Sequence, residues 1–249
     1  MRRALVGAPV LAAALSAGAA AAGGVGISAS PVRLLLTGNS TGAVTVRNPS
    51  ARPLLVDVSR AGFGRSLRGR PLIRPAPRSS RWLHVRPRRL RLAPHGAAIL
   101  HVTATPSRRD APGDHPALVL LTTRPLGVRH VQVRLRLGVV VVLHVRGRIV
   151  RRLDLRQLTV HRRGSQRLLE LRLVNRGNVT EELGGGRLRI VLLDRARTIA
   201  TLRPRRRELL PHSAGIAEFV YGGPARGTVL ARVELRSAVS GGRTFRIRL

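Results

Sequence analysis

Between Ala111 and Gly147 the chain reads APGDHPALVLLTTRPLGVRHVQVRLRLGVVVVLHVRG, and this stretch limits the fold more than any other. Pro112, Gly113 and Asp114 are turn formers, and Ala117 to Thr123 is a short apolar run of the kind a doubly covered strand shows. Pro125 and Gly127 then reverse the chain. Val131, Val133, Leu135 and Leu137 alternate with Gln132, Arg134 and Arg136, a period of two that sends one set of side chains to a core and the other to water. After Gly138 the alternation stops, and Val139, Val140, Val141, Val142 and Leu143 are apolar without exception. Such a run is covered on both faces or waits for a partner. The stretch reads as the last hairpin of a β-sandwich.

From Ile27 onward no segment has a helical period. Short alternating runs separated by Gly, Pro, Asn and Ser recur instead, which predicts an all-β protein. A first strand is expected over Ile27 to Thr37, an extended loop or ragged edge over Arg60 to Ser80, and Trp82, the only tryptophan, at the rim of the sandwich. The two halves look like copies. Leu92-Ala93-Pro94-His95-Gly96-Ala97 has a counterpart in Leu209-Leu210-Pro211-His212-Ser213-Ala214, Arg47-Asn48 in Val174-Asn175, and the Gly113 turn in the Gly227 turn. Two tandem immunoglobulin-like β-sandwiches are therefore expected, one over residues 23–147 and one over 148–249, with almost no linker between them.

Residues 1–22 have the parts of a cleaved secretory signal. Arg2 and Arg3 precede an apolar run from Ala4 to Leu15, and Ala20 and Ala22 stand at an A-x-A spacing. The apolar run is shorter than the roughly 20 residues of a membrane span, and no later segment qualifies, so no integral membrane segment is expected in the mature chain. The protein is expected to be exported, secreted or associated with the cell surface. It has no cysteine, which excludes disulfides and thiol chemistry.

Charge bears on the choice of partner. The 46 basic residues are all arginine, against 11 acids, for a formal net charge of +35. The excess favours polyanions. Arg134/Arg136, Arg187/Arg189, Arg232/Arg236 and Arg246/Arg248 stand two or four apart, so each pair projects from one strand face. The plainer reading of these stripes is a solvated outer face, and an arginine excess can also be a coding bias. Read functionally, Arg33, Arg134, Arg136, Arg187 and Arg189 are candidates for binding an anionic wall polymer through guanidinium forks. Nucleic acid is not expected, because 2% aromatic residues leave little for bases to stack on. The eight histidines show no metal-ligand spacing, and the acids are mostly single, so no metal, cofactor or enzymatic activity is expected.

The order of Ser30-Pro31-Val32-Arg33, Val46-Arg47-Asn48, Arg89 to Pro94, Ala111 to Asp114 and Arg136-Leu137-Gly138 resembles the WxL-interacting proteins of Gram-positive bacteria. More distantly it resembles the two-domain PapD-like periplasmic chaperones. The first resemblance implies a wall-associated binding protein whose partner is a cell-wall polymer or a secreted surface protein. The second implies a chaperone or assembly factor that binds a secreted partner by strand addition, with Val139 to Leu143 as the partner-strand edge. PapD-like chaperones hold a client carboxylate between a basic residue on the first strand and a lysine on the last strand of the first domain. Arg33 stands where the former would be, while Val139 to Val145 carries no arginine or lysine.

Overall fold

A computed structural model describes residues 26–75, 81–124, 134–236 and 241–249. The proposed signal segment and the Pro125–Val133 turn fall outside the described residues. Among the described residues every regular element is a strand. The first ten are β1 (Ser28–Ser30), β2 (Arg33–Thr37), β3 (Ser40–Arg47), β4 (Leu54–Arg65), β5 (Pro71–Arg74), β6 (Leu83–Arg86), β7 (Arg89–Leu92), β8 (Ala97–Ala104), β9 (Gly113–Thr123) and β10 (Arg136–Val145). The remainder are β11 (Leu153–Arg163), β12 (Gln166–Asn175), β13 (Glu181–Glu182), β14 (Leu188–Asp194), β15 (Arg197–Leu202), β16 (Glu208–Leu209), β17 (Ala214–Tyr221), β18 (Thr228–Leu235) and β19 (Gly241–Arg248).

The strands form two sandwiches. In the first, the sheet β1-β3-β8-β6 faces the sheet β2-β10-β9-β4-β5, and β7 also pairs with β4. Alternate residues supply its core. Val44 and Val46, Val56, Leu100 and Val102, Val119 and Leu121, and Val139, Val141 and Leu143 are fully buried together. Each such side chain contributes about 1.5–3 kcal/mol when withdrawn from water. In the second, β11-β12-β17 faces β15-β14-β18-β19 around Leu169, Leu171, Leu173, Ile190, Leu192, Phe219 and Val233.

Two sequence expectations need correction and a third is narrowed. The strand expected over Ile27 to Thr37 is two strands in different sheets: β1 pairs with β3, and after Pro31 the chain crosses so that β2 pairs with β10. Proline lacks an N–H and cannot extend a ladder, so it marks the crossing point. Of the extended loop or ragged edge strand expected over Arg60 to Ser80, the described residues show the edge: β4 continues to Arg65 and the chain returns as the edge strand β5. Trp82 is not at the rim. It is only 3% exposed and packs in the first core.

The repeated turns are held by the same device. Asn48 is buried, its side-chain amide donates to Arg52 O (2.8 Å) and Ala93 O (2.9 Å), and its Oδ1 accepts from the Ser50 N–H (3.1 Å). Asn175 is buried, donates to Val179 O (2.8 Å), Leu210 O (3.1 Å) and Leu209 O (3.2 Å), and accepts from the Gly177 N–H (2.8 Å). Each asparagine thereby ties the end of a strand to a Pro-His turn whose histidine is left-handed, with φ of 54° at His95 and 51° at His212. Buried amides that satisfy several backbone groups fix a single geometry.

A third apolar cluster joins the sandwiches. Ala61, Phe63, Leu118 and Leu120, on the outer face of the second sheet of the first sandwich, pack with Leu210 of the second. Polar ties surround it. Asp114 N–H donates to Asn178 O (2.8 Å), Asp114 Oδ2 accepts from Thr180 N–H (2.8 Å), and Asn178 Nδ2 donates to Pro112 O (2.8 Å).

Candidate functional site: a strand edge and an arginine cleft

The partner-strand edge expected at Val139, Val140, Val141, Val142 and Leu143 is already occupied. β2 runs parallel to β10 and covers it from Val140 to His144, beginning with the Val140 N–H donating to Val32 O (3.0 Å). Both faces are covered as well. Val139, Val141 and Leu143 lie in the first core, Val142 is 2% exposed, and Val140 packs against the junction cluster. A continuous apolar run is what a strand covered on two faces should show, and here the cover is internal.

Among the described residues, the open part of β10 lies one step earlier. β10 pairs with β9 in continuous register from Arg136 to Val145, and Leu135 O accepts from the Thr123 N–H (2.9 Å). Odd-numbered residues from Leu135 onward therefore spend their backbone groups on β9, while even-numbered ones face the other way. At Val140, Val142 and His144 that other side is taken by β2. At Arg136 and Gly138 it is beyond the end of β2. Leu137 and Val139 flank this open edge with apolar side chains directed to the core face.

The five candidate arginines do not gather in one site. Arg33 donates to the Glu208 carboxylate of the second sandwich, and Arg65 joins the same carboxylate from β4 (3.2 Å). Arg187 pairs with Glu181 (2.8 Å), and Arg189 with Glu234 (2.6 Å). Arg134 and Arg136 are exposed, with no salt-bridge partner among the described residues.

Arg33 leads instead into a cleft between the sandwiches, a cavity of about 580 Å³ whose lining includes Arg65, Arg68, Arg207, Glu208 and Glu218. Arg68 crosses it to Glu170 (2.7 Å) and Glu218 (3.1 Å). The hydrogen bond that Arg68 donates to Glu170, reinforced by the carboxylate's charge, holds the Arg68 guanidinium above its ordinary range. Arg207 is pushed the other way, chiefly by burial, with Arg65 and Arg68 adding repulsion and Glu218 opposing it. Its guanidinium donates to Ile216 O. Net positive charge and partial enclosure suit a carboxylate or phosphate ligand, but the glutamates already compensate much of it. Sequence reasoning missed this cleft. Its acids come from β12, β13, β16 and β17, and the signal in the residues is Glu170 standing inside the leucine-rich run Leu168 to Leu173.

No protein-family model and no curated protein sequence matches the chain, so the resemblance to WxL-interacting proteins stands on its quoted motifs alone. Solved structures do match. A chain of the chaperone–tip adhesin complex of CFA/I fimbriae biogenesis aligns with a TM-score of 0.50 at 11% identity, over 89% of this chain and 98% of that one. The YadV chaperone aligns at 0.49 and 12% identity, over 90% and 99%, and the E. coli chaperone DraB at 0.45 and 14%, over 90% and 99%. At these identities the likeness is one of fold, and the chain shares the two-domain β-sandwich fold of PapD-like chaperones.

Proposed function

We propose that this is an exported, non-enzymatic chaperone or assembly factor, with sandwiches over 23–147 and 148–249, that holds an extended segment of a secreted partner by strand addition. The observation that carries the reading is the open edge at Arg136 and Gly138. There, two residues' backbone donors and acceptors face away from β9 beyond the end of β2, beside the apolar Leu137 and Val139. An added strand gains affinity from main-chain hydrogen bonds and specificity from alternate side chains. The fold shared with fimbrial chaperones supports the class of protein. Carboxylate capture by Arg33 is not part of the proposal, because Glu208 already neutralises it. Wall-polymer binding through the five arginines keeps support at Arg134 and Arg136 alone, since the other three carry carboxylate partners.

The test is co-purification of the mature chain with exported proteins of its source cell, followed by hydrogen exchange on the complex. The amides of Arg136 and Gly138 are expected to gain protection. Failure to retain any exported protein, or protection confined to the outer edge of β2 or to the second sandwich, overturns the reading.

A further inference from the structure

The outer edge of β4 is covered in two pieces. β7 pairs with Leu54 to Asp57, β5 pairs with Gly62 to Arg65, and Val58 N–H is closed by Arg88 O (2.8 Å). Between those covers no described residue pairs with the edge, and β6 of the opposite sheet stands across the gap, tied by the Arg60 guanidinium donating to Leu83 O (2.6 Å). The result is a cavity of about 650 Å³. Alternation along β6 turns Leu83 and Val85 into the core and His84 and Arg86 outward, and Arg60, Arg81 and Arg88 complete a rim of four arginines and one histidine.

Arginines alone mean little in a chain of 46 basic residues, so the acids decide the matter. The cleft between the sandwiches is lined by Glu182, Glu208 and Glu218, and the cavity beside the start of β14 by Glu181 and Glu182. No acid lines this one among the described residues. Asp57, adjacent to Val58, is committed to Arg124 (2.8 Å) and Arg89 (3.2 Å). A second cavity of about 560 Å³ shares Arg81 and His84 and extends the basic surface to Arg108 and Arg109. Its single acid, Asp110, accepts from the Ser107 N–H (2.7 Å).

We infer that this double cavity is a binding site for a linear polyanion carrying repeated phosphate groups without aromatic bases. Guanidinium forks match tetrahedral phosphate oxygens, and spaced arginines along two cavities that share Arg81 and His84 suit a repeating ligand better than one ion. Trp82, the only tryptophan, borders the second cavity but is only 3% exposed, so its ring offers bases little face to stack on. The site lies at the β4/β6 side of the first sandwich, whereas the open β10 edge lies at the β1/β2 side. Occupation of one therefore leaves the other accessible, and the inference does not depend on the proposed strand addition.

The experiment measures binding of linear inorganic polyphosphate to the full mature chain, with orthophosphate and a single-stranded oligonucleotide as competitors. Arg81→Glu with Arg86→Glu and Arg88→Glu is expected to weaken polyphosphate binding at least about tenfold. Arg197→Glu with Arg246→Glu and Arg248→Glu makes the same change in net charge on exposed residues of the second sandwich, and is expected to stay within about twofold of the parent. The Arg→Gln triple at 81, 86 and 88 repeats the test with less perturbation, and circular dichroism reports folding of each variant. Equal loss in the two charge-matched triples would show a diffuse field and overturn the site. Orthophosphate competing as well as the polymer, or an oligonucleotide binding more tightly than polyphosphate, would overturn the assigned ligand.

Discussion

Gly113 and Gly227 hold matching turns in the two sandwiches, both left-handed, at φ of 120° and 92°, yet their surroundings differ completely. A Cβ on Gly113 would overlap the Asn178 carbonyl of the second sandwich, while a Cβ on Gly227 would meet nothing within 4 Å. Asn48 and Asn175 show the converse, two positions whose hydrogen bonds are nearly interchangeable. The comparison separates what belongs to each sandwich from what belongs to their junction. Turn chemistry is repeated, because each sandwich needs it to close its own sheets. Close packing at Gly113 occurs once, because there is one junction.

The largest expected effect breaks that junction. Gly113→Ala should cost about 3 kcal/mol or more, from backbone strain plus overlap with a backbone atom that cannot rotate away. Gly227→Ala should cost about 1 kcal/mol, from strain alone. Denaturant midpoints measure both, and faster exchange of the Asp114 amide, which donates to Asn178 O, would locate the damage in the first variant. Equal costs would mean that Gly113 is kept for its φ and not for the junction.

Next come the asparagines. Asn175→Ala is expected to destabilise by about 3 kcal/mol and Asn48→Ala by about 2, because a buried acceptor left without a donor carries most of its desolvation penalty. In the first sandwich the Ser50 hydroxyl also reaches Arg52 O (3.1 Å), and the Gly96 N–H also donates to Ala93 O (3.0 Å). In the second, Ser213 supports Leu210 O (2.7 Å) but Val179 O depends on Asn175. Urea denaturation of the two variants under one set of conditions checks the order, and a reversed order would show that these helpers contribute nothing.

The smallest effect concerns a charge found in the first sandwich. The Arg124 hydrogen bond, aided by Arg89 and opposed by desolvation, holds the Asp57 carboxyl below the usual carboxylate range. A carboxyl whose folded-state pKa is lowered stabilises above its unfolded value, about 3.9, and that contribution is lost as pH falls through the folded value. Asp57→Asn should therefore flatten the acid limb of the stability curve below about pH 4 and leave its shape near neutrality unchanged. Because Asp57 is largely solvated the change should be small, and an unchanged acid limb would rule out the contribution.

Much of the fold was legible in the residues. Alternation marks β3, β8, β17 and β18, and the repeated Pro-His and Asn motifs announce two similar units. β11 and β15 carry no such mark. Leu153 to Arg163 and Arg197 to Leu202 are only partly buried along much of their length, so neither face is cleanly apolar. Trp82 was misplaced because arginine and histidine neighbours suggest a surface, although Leu83 and Val85 beside it are buried. Of the candidate site residues, the pairing of Arg33, Arg187 and Arg189 with glutamates could not be read in advance. Arg33 and Glu208 are 175 positions apart, and the Arg189–Glu234 pair joins neighbouring strands that are distant in sequence.

The residues alone show which strand faces need cover. Side chains alternate across a sheet, so a run such as Val139 to Leu143 calls for cover on both faces, from within the chain or from a partner. Only the tertiary structure decided which edges are open. Edges are made by backbone N–H and C=O groups that almost every residue carries alike, and no pattern of side chains says that β2 will cross after Pro31 and cover β10 from Val140 onward. The same holds for the acid-free gap between β4 and β6, whose charge balance depends on where a few carboxylates lie after folding.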